Sequence, residues 1–173
     1  LDSNGSNSTA AAAVLCAQQH MEIRDSFSVV LAATGPVGQR VCRILANLGG
    51  KVFVGSRSQE RAEETIDELV RANVERSRLI PLVSEDEAAL NGALIRSQAV
   101  FACGAAGIRL LTAQQLAAAT SLRVAVDLNA VPPEGIEGIG AFDKAVERGN
   151  RVDYGALGVG GLKMKIHKAS IAA

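Results

Sequence analysis

The chain is poor in aromatic residues: its 173 positions hold no Trp, one Tyr and four Phe. Its interior must therefore be built from Val, Leu, Ile and Ala, and a 48% hydrophobic content leaves enough of them for a buried core. Small aliphatic side chains suit helices packed closely on a parallel sheet better than a β-sandwich. An excess of charge of either sign is also lacking. Eighteen Lys and Arg balance eighteen Asp and Glu. This removes the electrostatic reason to expect nucleic acid or an anionic membrane as partner. Cysteines are few: Cys16, Cys42 and Cys103 are widely spaced and form no CxxC pair. That argues against a disulfide framework or a zinc site and favours a reducing compartment. No apolar run reaches the roughly 18 residues of a membrane span. The polar opening, Leu1-Asp2-Ser3-Asn4-Gly5-Ser6-Asn7, does not read as a signal peptide. It carries no initiator methionine, and the helical pattern runs on to the last residue. Both ends are expected to be cut from a longer protein.

What is present alternates. Ser6 and Asn7 read as N-caps for an Ala-rich helix to about residue 19. Buried strands are predicted at 28–32, 51–54, 79–83, 98–102 and 123–127. Helices are predicted at 37–48, closed by Gly49-Gly50, and at 59–73, capped by Ser58. Ser84 with Glu87, and Thr112 with Gln115, read as capping boxes. A Pro/Gly-rich loop follows at 128–140, and a glycine-rich loop at 155–161 opens a final helix. Strand and helix recur about every 25 residues, the rhythm of βαβ units. The fold class expected is α/β, a doubly wound, mostly parallel sheet with helices on both faces.

The strongest motif follows the first strand. A dinucleotide fingerprint reads GxGxxG between a strand and a helix. Here it is Ala33-Thr34-Gly35-Pro36-Val37-Gly38. Gly35 lets backbone approach a pyrophosphate, Gly38 allows close helix–strand packing, and the helix start offers free N–H groups. The fold is thus Rossmann-like, and Thr34, Gly35, Pro36 and Val37 are candidate cofactor residues. At the end of the second strand, an NAD-selective site carries an acid for the ribose 2′-hydroxyl. This chain has Gly55-Ser56-Arg57-Ser58 instead. Arg57 could pair with a 2′-phosphate, and Ser56 and Ser58 could donate to it, which points to NADP. Cys103, Gly104 and Ala105, after the fourth strand, would let backbone pass close to the cofactor. Asp127 and Asn129 either offer polar groups near the nicotinamide or hold the turn before Pro132-Pro133. Lys163 and His167, four apart, share a helix face that spacing alone reads as surface.

Four segments together carry a family resemblance. They are the opening 1–7, Thr34-Gly35-Pro36-Val37-Gly38, Asn129-Ala130-Val131-Pro132-Pro133, and 155–167 with its Gly-Gly-Leu-Lys-Met-Lys-Ile-His end. The chain resembles bacterial NADP-dependent methylene-tetrahydromethanopterin dehydrogenases over nearly its whole length. The resemblance implies oxidation of the methylene bridge of a pterin one-carbon carrier, with hydride passed to NADP. Methylene-tetrahydrofolate is a second substrate within the family. It also implies a cytoplasmic homo-oligomer, with the substrate in a cleft between a catalytic and a Rossmann domain, and active-site positions falling on Thr9, Lys163 and His167. Residues 1–26 would then be a helix linking from a catalytic domain outside this chain. Residues 27–155 would bind NADP, and 156–173 would return to the cleft. Two departures stand out. Ala33 replaces the first glycine, and Ser58 stands where NADP-dependent members can carry lysine. The second leaves NAD open as an alternative cofactor. Two other readings remain: a related NADP reductase of the shikimate-dehydrogenase kind, and an NADP-binding module without catalysis of its own.

Overall fold

The computed structural model describes residues 5–172, apart from the side chains at 167 and 170–172. In chain order the elements are α1 (Ser6–Gln18), β1 (Phe27–Leu31), α2 (Pro36–Asn47), β2 (Lys51–Ser56), α3 (Gln59–Arg71), β3 (Leu79–Val83), α4 (Glu87–Arg96), β4 (Ala99–Ala102), α5 (Ala113–Ala118), β5 (Val124–Asp127), β6 (Val146–Arg148), β7 (Arg151–Tyr154) and α6 (Ala156–Ala172). One 3-10 turn, Arg76–Arg78, precedes β3. The seven strands form one sheet in the order β3-β2-β1-β4-β5-β7-β6. All pairings are parallel except β6 with β7. This is the doubly wound α/β class expected from the sequence.

Strand alternation divides the core into two layers. Val30, Val54, Phe101 and Val126 face one side, where Val14, Leu45, Ile66 and Val159 from α1, α2, α3 and α6 cover them. Val29, Leu31, Val100 and Ala125 face the other, under Leu94 and Leu116 of α4 and α5 and Ile136 of the loop after β5. Side chains that point to opposite faces at every step force this layering once both faces are covered. Helix α1 is wedged among neighbours, with Ala10, Ala12, Ala13 and Ala17 fully buried. Its alanines let α2 and α6 approach closely, which larger side chains would forbid.

Several local expectations shift. Helix α1 starts at Ser6, so the N-cap is Gly5 at φ 71, and no side chain caps the helix. The Ser8 and Thr9 hydroxyls donate back to the Gly5 carbonyl at 3.1 and 2.7 Å. Helix α4 is capped by Asp86, which accepts from the Ala89 N–H at 3.0 Å; no Ser84–Glu87 box forms. The Ser84 hydroxyl donates instead to the Ser56 carbonyl at 3.0 Å. Ser58 does cap α3, and the Thr112–Gln115 box is complete. Residues 156–161, predicted as loop, already belong to α6. The β6–β7 hairpin had no counterpart in the predicted elements. A two-residue turn, Gly149-Asn150, makes it, with Gly149 at φ 64. Asp153 on β7 is fully buried and accepts from both Arg148 and Arg151. That charge-assisted cluster fixes the short edge strand.

Candidate functional site

The order β3-β2-β1-β4-β5 reverses direction between β1 and β4. Loops leaving the carboxyl ends of these strands run apart there and open a crevice. Its volume is about 340 Å³. Ala32, Thr34 and Gly35 line it from the β1–α2 turn, Ser56, Arg57 and Arg61 from β2 and α3, and Ser84 from beyond β3. Cys103, Gly104 and Ala105 follow β4, with Ile108 and Leu110 as apolar wall. Among the described residues no acidic side chain lines the crevice.

The turn is built as a phosphate cradle. Gly35 is the N-cap of α2, Pro36 is its first residue, and no side chain caps the helix. The first-turn N–H groups therefore keep the exposed positive end that attracts anions. A Cβ on Gly35 would meet nothing nearer than the Ala32 carbonyl oxygen at 4.0 Å. No contact within the chain demands glycine here, and the room it leaves lies on the crevice wall. Gly38 differs. A Cβ there would sit 2.7 Å from the Ala32 carbonyl oxygen and from the Ala33 Cα, so its role is tight packing of α2 on β1. These residues fit a dinucleotide pyrophosphate. The missing first glycine at Ala33 leaves no backbone strain at that position. The strained residue is its neighbour Ala32, in the left-handed region at φ 52.

The 55–58 segment splits. Ser56 and Arg57 line the crevice, but Ser58 does not. The Ser58 oxygen accepts from the Arg61 N–H at 3.4 Å as cap of α3. The guanidinium groups of Arg57 and Arg61 have no hydrogen bond or ion pair with the described residues, and Arg61 had not been singled out from the sequence. Pro36 and Val37 stand behind the Thr34-Gly35 wall rather than on it.

Asp127 and Asn129 are also set back from the crevice, and both organise loops. Asp127 is 1% exposed. Its carboxylate accepts from the Asn129 N–H at 3.0 Å and the Ile136 N–H at 2.9 Å. Burial pushes its carboxyl up from the ordinary carboxylate value, against the loop N–H groups that hold it down. Asn129 accepts from the Gly107 and Val131 N–H groups and donates to the Pro133 carbonyl at 2.8 Å. It ties the loop after β4 to the loop after β5. Cys103 lines the crevice as a thiol: burial pushes it up to about 12.

Thr9 and Lys163 lie away from the crevice lining, and the structure brings both to Gly5. A Cβ on Gly5 would lie 3.2 Å from Lys163 Nζ and 3.8 Å from Ser8 Oγ, while Thr9 bonds the Gly5 carbonyl. The His167 side chain lies outside the described residues. Among the described residues no cluster of His, Cys, Asp and Glu could hold a metal, and no helix is long and apolar enough to cross a membrane.

Comparison with known proteins agrees with the fold. No family profile matches the chain. The chain is 38% identical over 177 residues to the bifunctional protein MdtA of Methylorubrum extorquens, covering 99% of this chain and 60% of that protein. A second protein of that organism, named NAD(P)-dependent methylenetetrahydromethanopterin dehydrogenase, is 43% identical over 77 residues. That match covers 43% of this chain and 26% of the other. The chain thus spans only part of the length of either curated relative. Among solved structures, a transhydrogenase from Sinorhizobium meliloti superposes with a TM-score of 0.70 at 19% identity, over 98% of this chain and 55% of that one. At that identity the likeness is one of fold, a Rossmann-like doubly wound sheet.

Proposed function

We propose that this chain is the cofactor-binding part of an oxidoreductase that moves a hydride from methylene-tetrahydromethanopterin, or methylene-tetrahydrofolate, to NADP and leaves the methenyl form. The observation that carries the reading is the crevice at the β1/β4 switch point. It combines an uncapped α2 start over Gly35, two guanidinium groups without partners and no acid on its walls. Such a wall favours a polyanionic dinucleotide with a 2′-phosphate. The name of one curated relative, NAD(P)-dependent methylenetetrahydromethanopterin dehydrogenase, supports the choice of a pterin-borne one-carbon unit as hydride donor.

A nicotinamide cofactor supplies the hydride acceptor when bound. Thr34 and Gly35 would hold the pyrophosphate, Ser56 and Arg57 the adenosine end, and Cys103, Gly104 and Ala105 would let backbone run beside the ribose, while Ser58 stays in the cap of α3. Asp127 and Asn129 keep the loops bordering the nicotinamide end in register. Thr9 gives its hydroxyl proton to Gly5, so its lone pairs are left to accept from a pterin N–H. Lys163 presents an ammonium at the same corner to donate to a pterin acceptor, and His167 belongs to the same helix. The two electrons leave with the hydride, and the positive charge left behind spreads over the two flanking nitrogens. No proton is transferred, so the protein needs to orient the partners and exclude water rather than supply a strong acid.

In the whole protein, residues 1–26 would link from a catalytic domain and α6 would return to the cleft, in a cytoplasmic homo-oligomer. The test is hydride transfer by the whole protein with each methylene carrier and each nucleotide, followed as reduced nicotinamide absorbance. Rapid NADPH formation with the methanopterin carrier is expected. Binding of NADP with no turnover of either carrier would leave a nucleotide-binding module and remove the dehydrogenase reading.

A further inference from the structure

We propose that Gln39 is a positioning residue: through the Thr34 carbonyl it keeps the Gly35 N–H turned toward an anion in the crevice, and Glu68 on α3 orients its amide. The inference rests on the cofactor reading above and adds two residues that do not themselves line the crevice.

The turn has few donors to offer. Pro36 brings no N–H to the start of α2, so the Gly35 N–H carries more of the task than in a turn without proline. It has no acceptor among the described residues. Its direction is set by the Thr34 carbonyl, because the N–H and C=O of one trans peptide point opposite ways. Glycine leaves that direction soft. Flipping the peptide would carry Gly35 from its φ of -78 into the positive region, at little cost to glycine and a large one to other residues. The flipped turn would present an oxygen, not a hydrogen, to an anion.

Gln39 holds the unflipped state. Its Nε2 donates to the Thr34 carbonyl at 3.1 Å, and that oxygen accepts nothing else among the described residues. Its backbone N–H donates to the Gly35 carbonyl at 3.0 Å. One residue thus draws both carbonyls of the turn toward α2. The same Nε2 donates to Glu68 Oε2 at 2.9 Å. A carbonyl and a carboxylate only accept, so the amide cannot turn over without losing both bonds. Gln39 and Glu68 share the wall of a separate hollow between α2 and α3. Their effect on a crevice ligand must therefore pass through the Thr34–Gly35 peptide. For Glu68 this gives a distinctive sign: simple charge repulsion predicts that removing it tightens an anionic ligand, whereas orientation of Gln39 predicts that removing it loosens one.

The test is calorimetric titration with NADP and with NAD of the full 173-residue chain and of Gln39→Met, Glu68→Ala and Glu68→Gln. Methionine keeps the length of the side chain and removes its donors. Gln39→Met should weaken both dinucleotides by the same factor, about 3- to 15-fold, the worth of one hydrogen bond, because both carry the diphosphate. Glu68→Ala should weaken both about 2- to 5-fold. Glu68→Gln keeps an acceptor oxygen for the Gln39 amide and should bind at least as tightly as the parent. Undiminished binding by Gln39→Met, a loss confined to one dinucleotide, or Glu68→Ala binding as tightly as Glu68→Gln overturns the role of Gln39, while dinucleotide binding by the parent upholds the cofactor reading. Should Gln39→Met fail to fold, the two Glu68 variants decide alone. A parent chain that binds neither dinucleotide overturns both.

Discussion

Lys163 on α6 reaches back to Gly5 at the head of α1: a methyl group on Gly5 would lie 3.2 Å from its Nζ. Two helices about 150 positions apart in sequence thereby bring an ammonium and the Thr9 hydroxyl to the same glycine. Replacing Lys163 by Gln in the whole protein should lower kcat/KM for the methylene carrier by about 10- to 100-fold, the worth of a charged hydrogen bond. NADP affinity should not move. A variant with normal turnover would remove Lys163 from the reaction.

Gly35 and Gly38 should respond in opposite ways to the same substitution. Gly38→Ala drives a methyl against the backbone of Ala32 and Ala33 at 2.7 Å, and should cost about 1–3 kcal/mol of stability. Gly35→Ala meets nothing closer than 4.0 Å, so its urea midpoint should stay near the parent value while NADP binding weakens. Equal stability losses in the two variants would contradict this division of roles.

The strained residue of the turn is Ala32. Its φ of 52 is unfavourable for any residue with a Cβ. Ala32→Gly should relieve that cost and raise stability by roughly 0.5–1 kcal/mol after the added chain entropy of glycine. Ala33→Gly would restore the fingerprint letter but remove a fully buried methyl. It should destabilise by about 1 kcal/mol. Chemical denaturation of the two single variants decides between them.

Asp127 should matter to stability through its loop bonds. Asp127→Ala leaves the Ile136 and Asn129 N–H groups without their acceptor, a loss of about 2–4 kcal/mol. Burial also makes the folded chain hold the Asp127 proton more tightly than the unfolded chain. The site's contribution is then largest below the ordinary carboxylate value and falls as pH rises through the raised one. Urea midpoints over that acidic window should show this falling component in the parent and not in Asp127→Ala.

The thiols should be inert. Burial pushes Cys103 up to about 12 and Cys16 up to about 11, and Cys42 well above its ordinary value. Near pH 8 the native chain should react with iodoacetamide at least about 100-fold more slowly than free cysteine, because only the thiolate attacks. Fast labelling of Cys103, the half-buried thiol on the crevice wall, would contradict the neutral state.

Much of this protein is settled by local pattern. Five parallel strands, the glycine turn and the caps at Ser58 and Thr112 follow from periodicity and backbone preference within a few residues of each other. The absence of acid at 55–58 is likewise a fact of sequence. Other features needed the tertiary structure. Hairpin β6–β7 escaped because Val146-Glu147-Arg148 and Arg151-Val152-Asp153 carry charge where a strand normally shows apolar residues. Only the folded chain shows Asp153 buried between two arginines, although the Gly149-Asn150 pair was a usable turn signal. Residues 156–161 read as loop from glycine content, yet packing against α1 holds Val159 in a helix. Asp127 and Asn129 could have served cofactor or loop until their bonds were seen. Arg61 became visible only as a guanidinium without a partner on a crevice wall. Periodicity and propensity act over one or two turns of chain, so sequence alone determined strands β1 to β5, the helices between them and their order. Burial, charge pairing and the meeting of Gly5, Thr9 and Lys163 depend on residues far apart in sequence, and only tertiary structure decided them.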